Sequence, residues 1–306
     1  MEPTILPRVS DQKPLVTVIS ITYNHESYIR DCLEGFLMQK TNFPVEVIVH
    51  DDASTDHTAD IIREYYEKRP DLFHAIIQSV NHRYRNSPVF APVLAMAQGK
   101  YVALCEGDDY WTDPLKLQKQ IDFLESHPDY SLCFHRIKQK TCGKIDKNTP
   151  SVRTGETLQK HIYPRWTIST CSVVIRREVA NEFIKIFYSQ KSFYFSDIIL
   201  FLSASKIGKM WGMKDIMSVY NRHSSGATTV IYNLSIFRHL RHHRAIRKFF
   251  PELKEESYTI SAYLIYNHIL KKKRWKLIKL LRYYKIKYHI YAYCYFMKSI
   301  WNKVTQ

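Results

Sequence analysis

Along the first half of this chain, hydrophobic positions switch between two periods. Residues 16–21, Val-Thr-Val-Ile-Ser-Ile, are a β-branched run ending at Thr22-Tyr23-Asn24, and residues 28–39 then place Ile29, Leu33, Phe36 and Leu37 at helical spacing. The pattern recurs. Residues 45–50 predict a second strand that stops at Asp51-Asp52-Ala53-Ser54-Thr55-Asp56, and residues 58–68 set Ala59, Ile62 and Tyr65/Tyr66 on one side of a helix. A third strand is expected at 74–78, a helix at 91–97 and a fourth strand at 101–105. Strands alternating with helices predict an α/β fold in which a mixed, largely parallel sheet is covered on both faces.

Further on, the alternation loosens. Strands are expected at 130–137, 171–176 and 210–220, and helices at 178–188 and 197–205. Residues 1–14 carry three prolines and little periodicity, and read as a flexible arm. From about 229 the chain reads as helices rich in Tyr, Lys and Arg. The expected organisation is an arm (1–14), an α/β domain (15–228, with halves at 15–112 and 113–228) and a helical basic C-terminal region (229–306).

With 45% hydrophobic and 24% charged residues over 306 positions, the chain is globular rather than disordered. Its net charge of +16 is unevenly placed: residues 230–306 hold 17 Lys/Arg against 3 Asp/Glu, which leaves the body nearly neutral. Such asymmetry points to an anionic partner for the tail, whether membrane surface, nucleic acid or charged polymer. The six cysteines are scattered without the close pairs that zinc sites use, which fits free thiols in a reducing cytosol. No apolar run approaches the roughly 18 residues of a membrane span, so neither a spanning helix nor a secretion signal is expected.

The chemistry concentrates where the fourth strand ends. Glu106-Gly107-Asp108-Asp109 follows the apolar run 101–105 and leads into Tyr110-Trp111-Thr112-Asp113-Pro114. Three neighbouring carboxylates repel one another, and a cation that takes hard oxygen ligands relieves that repulsion. In open α/β sheets ligands sit outside the carboxyl ends of strands, where this cluster falls. An acidic turn that caps the following helix, 114–126, needs only Asp113 as N-cap with Pro114 at N1, and leaves the other three carboxylates unexplained.

Three strand ends thus set polar groups on one rim: Thr22-Tyr23-Asn24, Asp51-Asp52 and Glu106 to Asp109. In order and spacing these segments, with Gly99-Lys100-Tyr101-Val102-Ala103 and Lys116-Leu117-Gln118-Lys119-Gln120, resemble the family 2 glycosyltransferases of the GT-A fold over residues 15–135. A weaker similarity continues through 169–177, Ser196-Asp197, Gly208-Lys209 and Tyr220-Asn221-Arg222-His223. The resemblance implies a nucleotide-binding half at 15–112 and an acceptor half at 113–228. It implies that Thr22, Tyr23 and Asn24 meet the base and ribose, that Asp52 accepts from the N3–H of uracil, and that Asn81 and Arg83 touch base or diphosphate. It places Asp108 on the nucleotide diphosphate as well as on the ion.

The family's metal motif usually reads Asp-x-Asp-Asp, and here Glu106 replaces the first Asp. Asp108 and Asp109 are the expected ligands of a divalent ion bridging the diphosphate, and Mn²⁺ or Mg²⁺ suits oxygen ligands and phosphates. His223, which stands where relatives often have Tyr-Arg-x-His, can complete the metal site. Asp197, after an aromatic run and at the start of an apolar helix, is the expected catalytic base; a simple helix cap is the alternative for this residue.

The resulting expectation is a metal-dependent, inverting enzyme that moves a sugar from a nucleotide-sugar donor, with UDP as the expected nucleotide, to a hydroxyl of a saccharide acceptor, lipid-linked acceptors included. Surface polysaccharide synthesis at the cytoplasmic side is the expected setting. Two competing readings are a nucleotidyltransferase, which would ordinarily show a Gly-rich phosphate loop after its first strand, and a non-catalytic nucleotide-sugar binding module of the same fold. In the tail, Tyr266, Leu270, Leu277, Leu281, Tyr284, Tyr288, Tyr291 and Tyr295 line one helical stripe with lysines away from it. Residues 266–298 are therefore expected either to pack on the protein's own body or to meet an anionic membrane surface. No nucleic-acid motif accompanies the charge, so nucleic acid is not an expected partner.

Overall fold

A computed structural model of the chain describes residues 2–82, 89–147, 149, 152–163, 168–224, 226, 235–272 and 288. The chain divides into two compact units. The first comprises Met1–Leu158, Trp166–Lys185 and Ser203–Ser224, and the second Gln159–Arg165, Ile186–Leu202 and Ser225–Gln306.

The first unit is built on one mixed sheet. Its parallel part contains β2 (Val16–Thr22), β3 (Val45–Asp51), β4 (Phe73–Ile77) and β5 (Tyr101–Leu104), linked through helices α1 (Ile29–Leu37), α2 (Thr58–Lys68) and α3 (Phe90–Ala95). These strands are sunk between helices, which is why they read as near-continuous apolar runs. β2 runs parallel to β3 in a register that pairs Val16 with Val45 and Thr22 with Asp51, and parallel to β5 on its other edge. The carboxyl ends of β2, β3 and β5 therefore share one rim, and β2 is where the connection changes direction, the switch point at which α/β folds bind ligands.

Within the stretch read as an arm, β1 (Thr4–Leu6) adds an antiparallel edge strand to β4. Three residues are too few for a period-two pattern to register. Beyond β5 the remaining strands are β6 (Tyr110–Trp111), β7 (Tyr130–Thr141), β8 (Lys144–Ile145), β9 (Gly155–Thr157), β10 (Val174–Arg176) and β11 (Lys209–Arg222). Among the described residues the main path of the sheet runs β1-β4-β3-β2-β5-β10-β7-β11-β6. β10 joins the two halves by pairing antiparallel with both β5 and β7. The expected strand at 171–176 is shorter than predicted, since a 3₁₀ turn at Thr170–Ser172 precedes it.

α4 (Lys116–Ser126) begins later than Pro114, and Asp113 is not its N-cap: Leu115 holds that position. Asp113 instead closes the preceding turn, its Oδ1 accepting the Leu115 N–H at 2.8 Å, while its Oδ2 takes the Lys119 ammonium at 2.7 Å. Short α5 (Gln159–Ile162) leads to α6 (Arg177–Tyr188) and α7 (Ser196–Ile207).

The core of the first unit gathers Val16, Val18, Leu33, Val47, Val49, Tyr101, Trp111, Leu117 and Ile121, all buried. Thr17, buried inside it, is paired: its Oγ1 donates to Glu46 Oε1 at 2.5 Å and accepts the Gly99 N–H at 2.8 Å. A Cβ on Gly99 would lie 2.6 Å from the Thr17 backbone nitrogen, so only glycine lets the chain approach β2 this closely.

The second unit holds α8 (Ile236–Phe249) and α9 (Lys254–Lys272), the helical structure expected beyond 229. Ile236, Ile265 and Ile269 form its apolar centre, with Leu240 and Tyr266 packed against them. Arg247 donates to the hydroxyls of Ser257 and Ser261 at 3.0 and 3.2 Å, and Tyr163 bonds His243 Nδ1 at 2.6 Å. No described helix is long and apolar enough to cross a membrane.

Candidate active site

The acidic turn after β5 is held at both ends. Its entry is fixed to β2, where the Cys105 and Gly107 N–H groups donate to the carbonyls of Ile19 and Ile21 at 3.1 and 3.0 Å. A Cβ on Gly107 would sit 2.5 Å from Thr22 Oγ1, so the turn can lie against Thr22 only with glycine here. Its exit is fixed by β6, which pairs antiparallel with β11 in a register that sets Trp111 opposite Ser218 and Tyr110 opposite Val219. Continuing that register brings Asn221 beside Asp108. The Asn221 backbone N–H donates to Asp109 Oδ1 at 2.8 Å, and its side-chain amide donates to the Asp108 carbonyl oxygen at 2.6 Å.

The three carboxylates of the turn do different things. Glu106 accepts the Thr170 hydroxyl at 2.5 Å through Oε2. Asp109 is 1% exposed and points inward; burial, followed by the charges of Asp108 and Glu106, pushes its carboxyl well above the ordinary range. Asp108 faces a pair of histidines. His223 Nε2 lies 2.9 Å from Asp108 Oδ2, and His25 Nε2 lies 3.9 Å from the same oxygen. Burial pushes the Asp108 carboxyl up, but the His223 hydrogen bond and the His25 charge outweigh it and hold the group below its usual range. Burial lowers the pKa of the His25 ring, with the Asp108 charge opposing.

The ligand atoms of His25, Asp108 and His223 all lie within 4.8 Å of one another, the one such His/Cys/Asp/Glu cluster among the described residues. A carboxylate flanked by two imidazoles fits a divalent transition ion. Both rings are oriented. His25 Nδ1 bonds Thr22 Oγ1 at 3.1 Å, and the Tyr28 ring stacks on His223 with centroids 4.8 Å apart at 24°. Asp108 and His223, both expected from sequence, come together. Asp109, also expected as a ligand, is not part of that cluster: it is buried, and its Oδ1 accepts the Asn221 N–H. His25 has no role in the sequence reading; its neighbours in the site come from strand adjacency, which one sequence does not display.

The nucleotide rim is laced across two loops. Asn24, at φ 54°, accepts the Thr55 N–H through Oδ1 at 2.8 Å, and its own N–H donates to Ser54 Oγ at 2.8 Å. The side chain of Asn24 thus fastens the β2 loop to the β3 loop. Thr22 is buried, with its carbonyl accepting the Asp52 N–H at 2.9 Å, and Tyr23 is half-buried beside it. Asp52 is 5% exposed; its Oδ1 accepts the His82 N–H at 2.9 Å and lies 3.0 Å from His82 Nδ1. Asn81 donates to the Asp52 carbonyl at 2.8 Å. Asp51 has a different job, closing its own turn by accepting from the Ser54 N–H at 3.1 Å and the Ser54 hydroxyl. Arg83 lies outside the described residues.

Asp197 falls in the second unit, in the first turn of α7, half-buried and ahead of the fully enclosed run Ile198, Ile199, Leu200, Phe201 and Leu202. In the same unit Tyr288 is 3% exposed, stacks on Tyr258 at 4.9 Å and donates to Glu255 at 2.9 Å. Two tyrosines of the basic stripe, Tyr266 and Tyr288, therefore face this unit's own interior; the rest of 273–298 lies outside the described residues. Of the cysteines, Cys32, Cys105, Cys133 and Cys171 are buried free thiols and Cys142 an exposed one.

Fold and rim together define a glycosyltransferase of the GT-A type. Residues 17–184 match the model of glycosyl transferase family 2, and the chain belongs to that family. The uncharacterized protein Rv1520 of Mycobacterium tuberculosis is 40% identical over 213 residues, 69% of this chain and 60% of that protein. The chain thus aligns with about 60% of the length of such relatives. The putative teichuronic acid biosynthesis glycosyltransferase TuaG of Bacillus subtilis is 38% identical over 181 residues, 57% of this chain and 67% of that protein.

Among solved structures, S. aureus TarS residues 1–349 in complex with UDP-GlcNAc superimposes with a TM-score of 0.59 at 19% identity, covering 83% of this chain and 72% of that one. The mannosyltransferase PcManGT from Pyrobaculum calidifontis, in complex with GDP-Man and Mn²⁺, gives a TM-score of 0.54 at 17% identity, covering 97% and 91%. These two likenesses establish the GT-A fold.

Proposed function

We propose that this glycosyltransferase is a metal-dependent inverting enzyme that transfers a sugar from a UDP-sugar to a hydroxyl of a saccharide acceptor, including lipid-linked saccharides, in surface polysaccharide synthesis. The observation that carries this reading is the convergence of Asp108, at the carboxyl end of β5, with His223, just past β11, on the rim shared with β2 and β3. UDP as the nucleotide is supported by Asp52, a buried carboxylate on that rim suited to accept from the N3–H of uracil, and by the UDP-GlcNAc bound to TarS. Tyr23 and the backbone of Thr22 and Asn24 line the base and ribose in this reading; Asn81 and Arg83 serve base or diphosphate.

Asp108 and His223 hold the divalent ion, Mn²⁺ or Mg²⁺, with Asp109 supporting the turn from behind. Mn²⁺ in the PcManGT complex is in keeping with this. When bound, the ion supplies electrostatic stabilisation of the negative charge that develops on the departing diphosphate. Asp197 takes the proton of the acceptor hydroxyl. That oxygen attacks the anomeric carbon from the side opposite the diphosphate, the bond from carbon to the diphosphate oxygen breaks, and an α-linked donor gives a β-linked product. The surplus of Lys and Arg beyond residue 230 supports work beside an anionic surface, at the cytoplasmic face of a membrane, and the similarity to TuaG, a putative teichuronic acid biosynthesis glycosyltransferase, supports polysaccharide synthesis.

The test is a donor screen. Purified protein with Mn²⁺ and a panel of UDP-, GDP- and dTDP-sugars should release UDP from one donor, more with a saccharide acceptor than without. Release of a different nucleoside diphosphate would overturn the assignment of the base.

A further inference from the structure

We infer that His25 is a third ligand of the same ion, so that the site offers two imidazoles and one carboxylate and prefers Mn²⁺ to Mg²⁺. This rests on the metal-dependent reading above and extends it to a residue on the first loop of the fold. His25 Nε2 lies 3.9 Å from Asp108 Oδ2, beyond hydrogen-bond reach, and faces it all the same. An ion between the two atoms accounts for both the facing and the distance. The 2.9 Å between His223 Nε2 and the same oxygen equally suits two adjacent ligands of one ion.

Its other ring atom and its backbone fix how His25 is aimed. Nδ1 bonds Thr22 Oγ1 at 3.1 Å, and the His25 N–H donates to Thr58 Oγ1 at 2.8 Å, so the ring is braced by β2 and by the start of α2. Metal-binding histidines are ordinarily held in this way, with the non-ligating nitrogen engaged by a neighbour. The brace is also specific: Thr22 Oγ1 touches both His25 and the space where a Cβ on Gly107 would fall, so the residue that orients the ring also sets the distance to the acidic turn.

The donor set carries the ion preference. Mg²⁺ keeps oxygen ligands and its waters, whereas imidazole nitrogen favours first-row transition dications. A site of one carboxylate and two rings should therefore bind Mn²⁺ more tightly than Mg²⁺ by at least about tenfold.

The full chain is titrated with Mn²⁺, with and without UDP, and the free aqua ion is followed by electron paramagnetic resonance. Pulsed measurements on the bound ion then count ¹⁴N couplings. Wild type should show two directly bound imidazole nitrogens. His25→Asn keeps a polar atom where Nδ1 meets Thr22 but removes Nε2, and should lose one coupling and at least about tenfold in Mn²⁺ affinity. His25→Asp should regain affinity while shifting the preference toward Mg²⁺. A single nitrogen coupling in wild type, or a His25→Asn protein that binds Mn²⁺ like wild type, overturns the inference. If Asp108→Asn and His223→Asn lose Mn²⁺ while His25→Asn does not, the metal reading stands and the third ligand falls. A wild-type protein that binds no Mn²⁺ with or without UDP overturns both.

Discussion

Asn221 holds Asp109 and its neighbour in one grip: the Asn221 N–H donates to Asp109 Oδ1 at 2.8 Å, and its side-chain amide reaches the Asp108 carbonyl at 2.6 Å. Asn is short enough to turn back onto the acidic turn and, being 6% exposed, does so out of solvent. Asn221→Ala should destabilise the protein by about 1 kcal/mol, the value of one buried hydrogen bond, and weaken Mn²⁺ binding because Asp108 loses its backbone anchor. Urea midpoints and Mn²⁺ titration check this. If both stay at wild-type values, the backbone N–H alone positions the turn.

Lys116 gives a pH signature. Its ammonium is fully buried over the Trp111 ring at 4.0 Å without a hydrogen-bond partner, and burial lowers its pKa from 10.5 to about 7. Between those two values the unfolded chain holds a proton that the folded chain has released, so unfolding takes up a proton and stability rises with pH. The slope reaches about 1.4 kcal/mol per pH unit, and it vanishes below about 7, where both states are charged. Lys116→Met should flatten this rise. Urea unfolding of both proteins at pH 7 and pH 9 is the comparison, and equal pH dependence would mean that Lys116 keeps its proton when folded.

Much of the fold is legible in the sequence because β2, β3 and β5 are enclosed on both faces, which prints them as apolar runs with polar ends. β11 is expected at 210–220 and runs Lys209–Arg222, but the register shift in its pairing with β7, around Lys214 and Asp215, leaves no mark in the sequence. The same limit applies at the site. Asp108 and His223 can be picked out from short motifs, but His25 joins them only through the parallel pairing of β2 with β5 and the antiparallel pairing of β6 with β11, neither of which leaves a local mark. Asp52 is legible as a rim carboxylate, whereas its engagement by His82 depends on how the chain leaves β4.

That engagement sharpens what Asp52 does. Asp52→Ala should weaken UDP binding by about 1–3 kcal/mol, the cost of leaving a buried polar partner unpaired. His82→Ala should have a smaller effect if the carboxylate reads the base itself. Calorimetry with UDP distinguishes the two, and unchanged affinity for Asp52→Ala would make Asp52 a residue of the turn alone.

Asp197→Asn tests the base. The amide is nearly isosteric but takes no proton, so turnover with a true acceptor should fall by about 10²-fold or more while donor affinity is kept. Wild-type turnover in this variant would assign Asp197 to capping α7.

The most direct measurement compares UDP release by wild type and Asp108→Asn with a matched UDP-sugar and acceptor, each with Mn²⁺ and with chelator. Wild type should turn over with Mn²⁺ and stop in chelator, recovering when Mn²⁺ is restored. Asp108→Asn should remain folded by circular dichroism and lose several orders of magnitude in rate, because the departing diphosphate no longer meets a held positive charge. Undiminished wild-type turnover in chelator, or wild-type turnover of Asp108→Asn with Mn²⁺, would contradict metal-dependent transfer at this site.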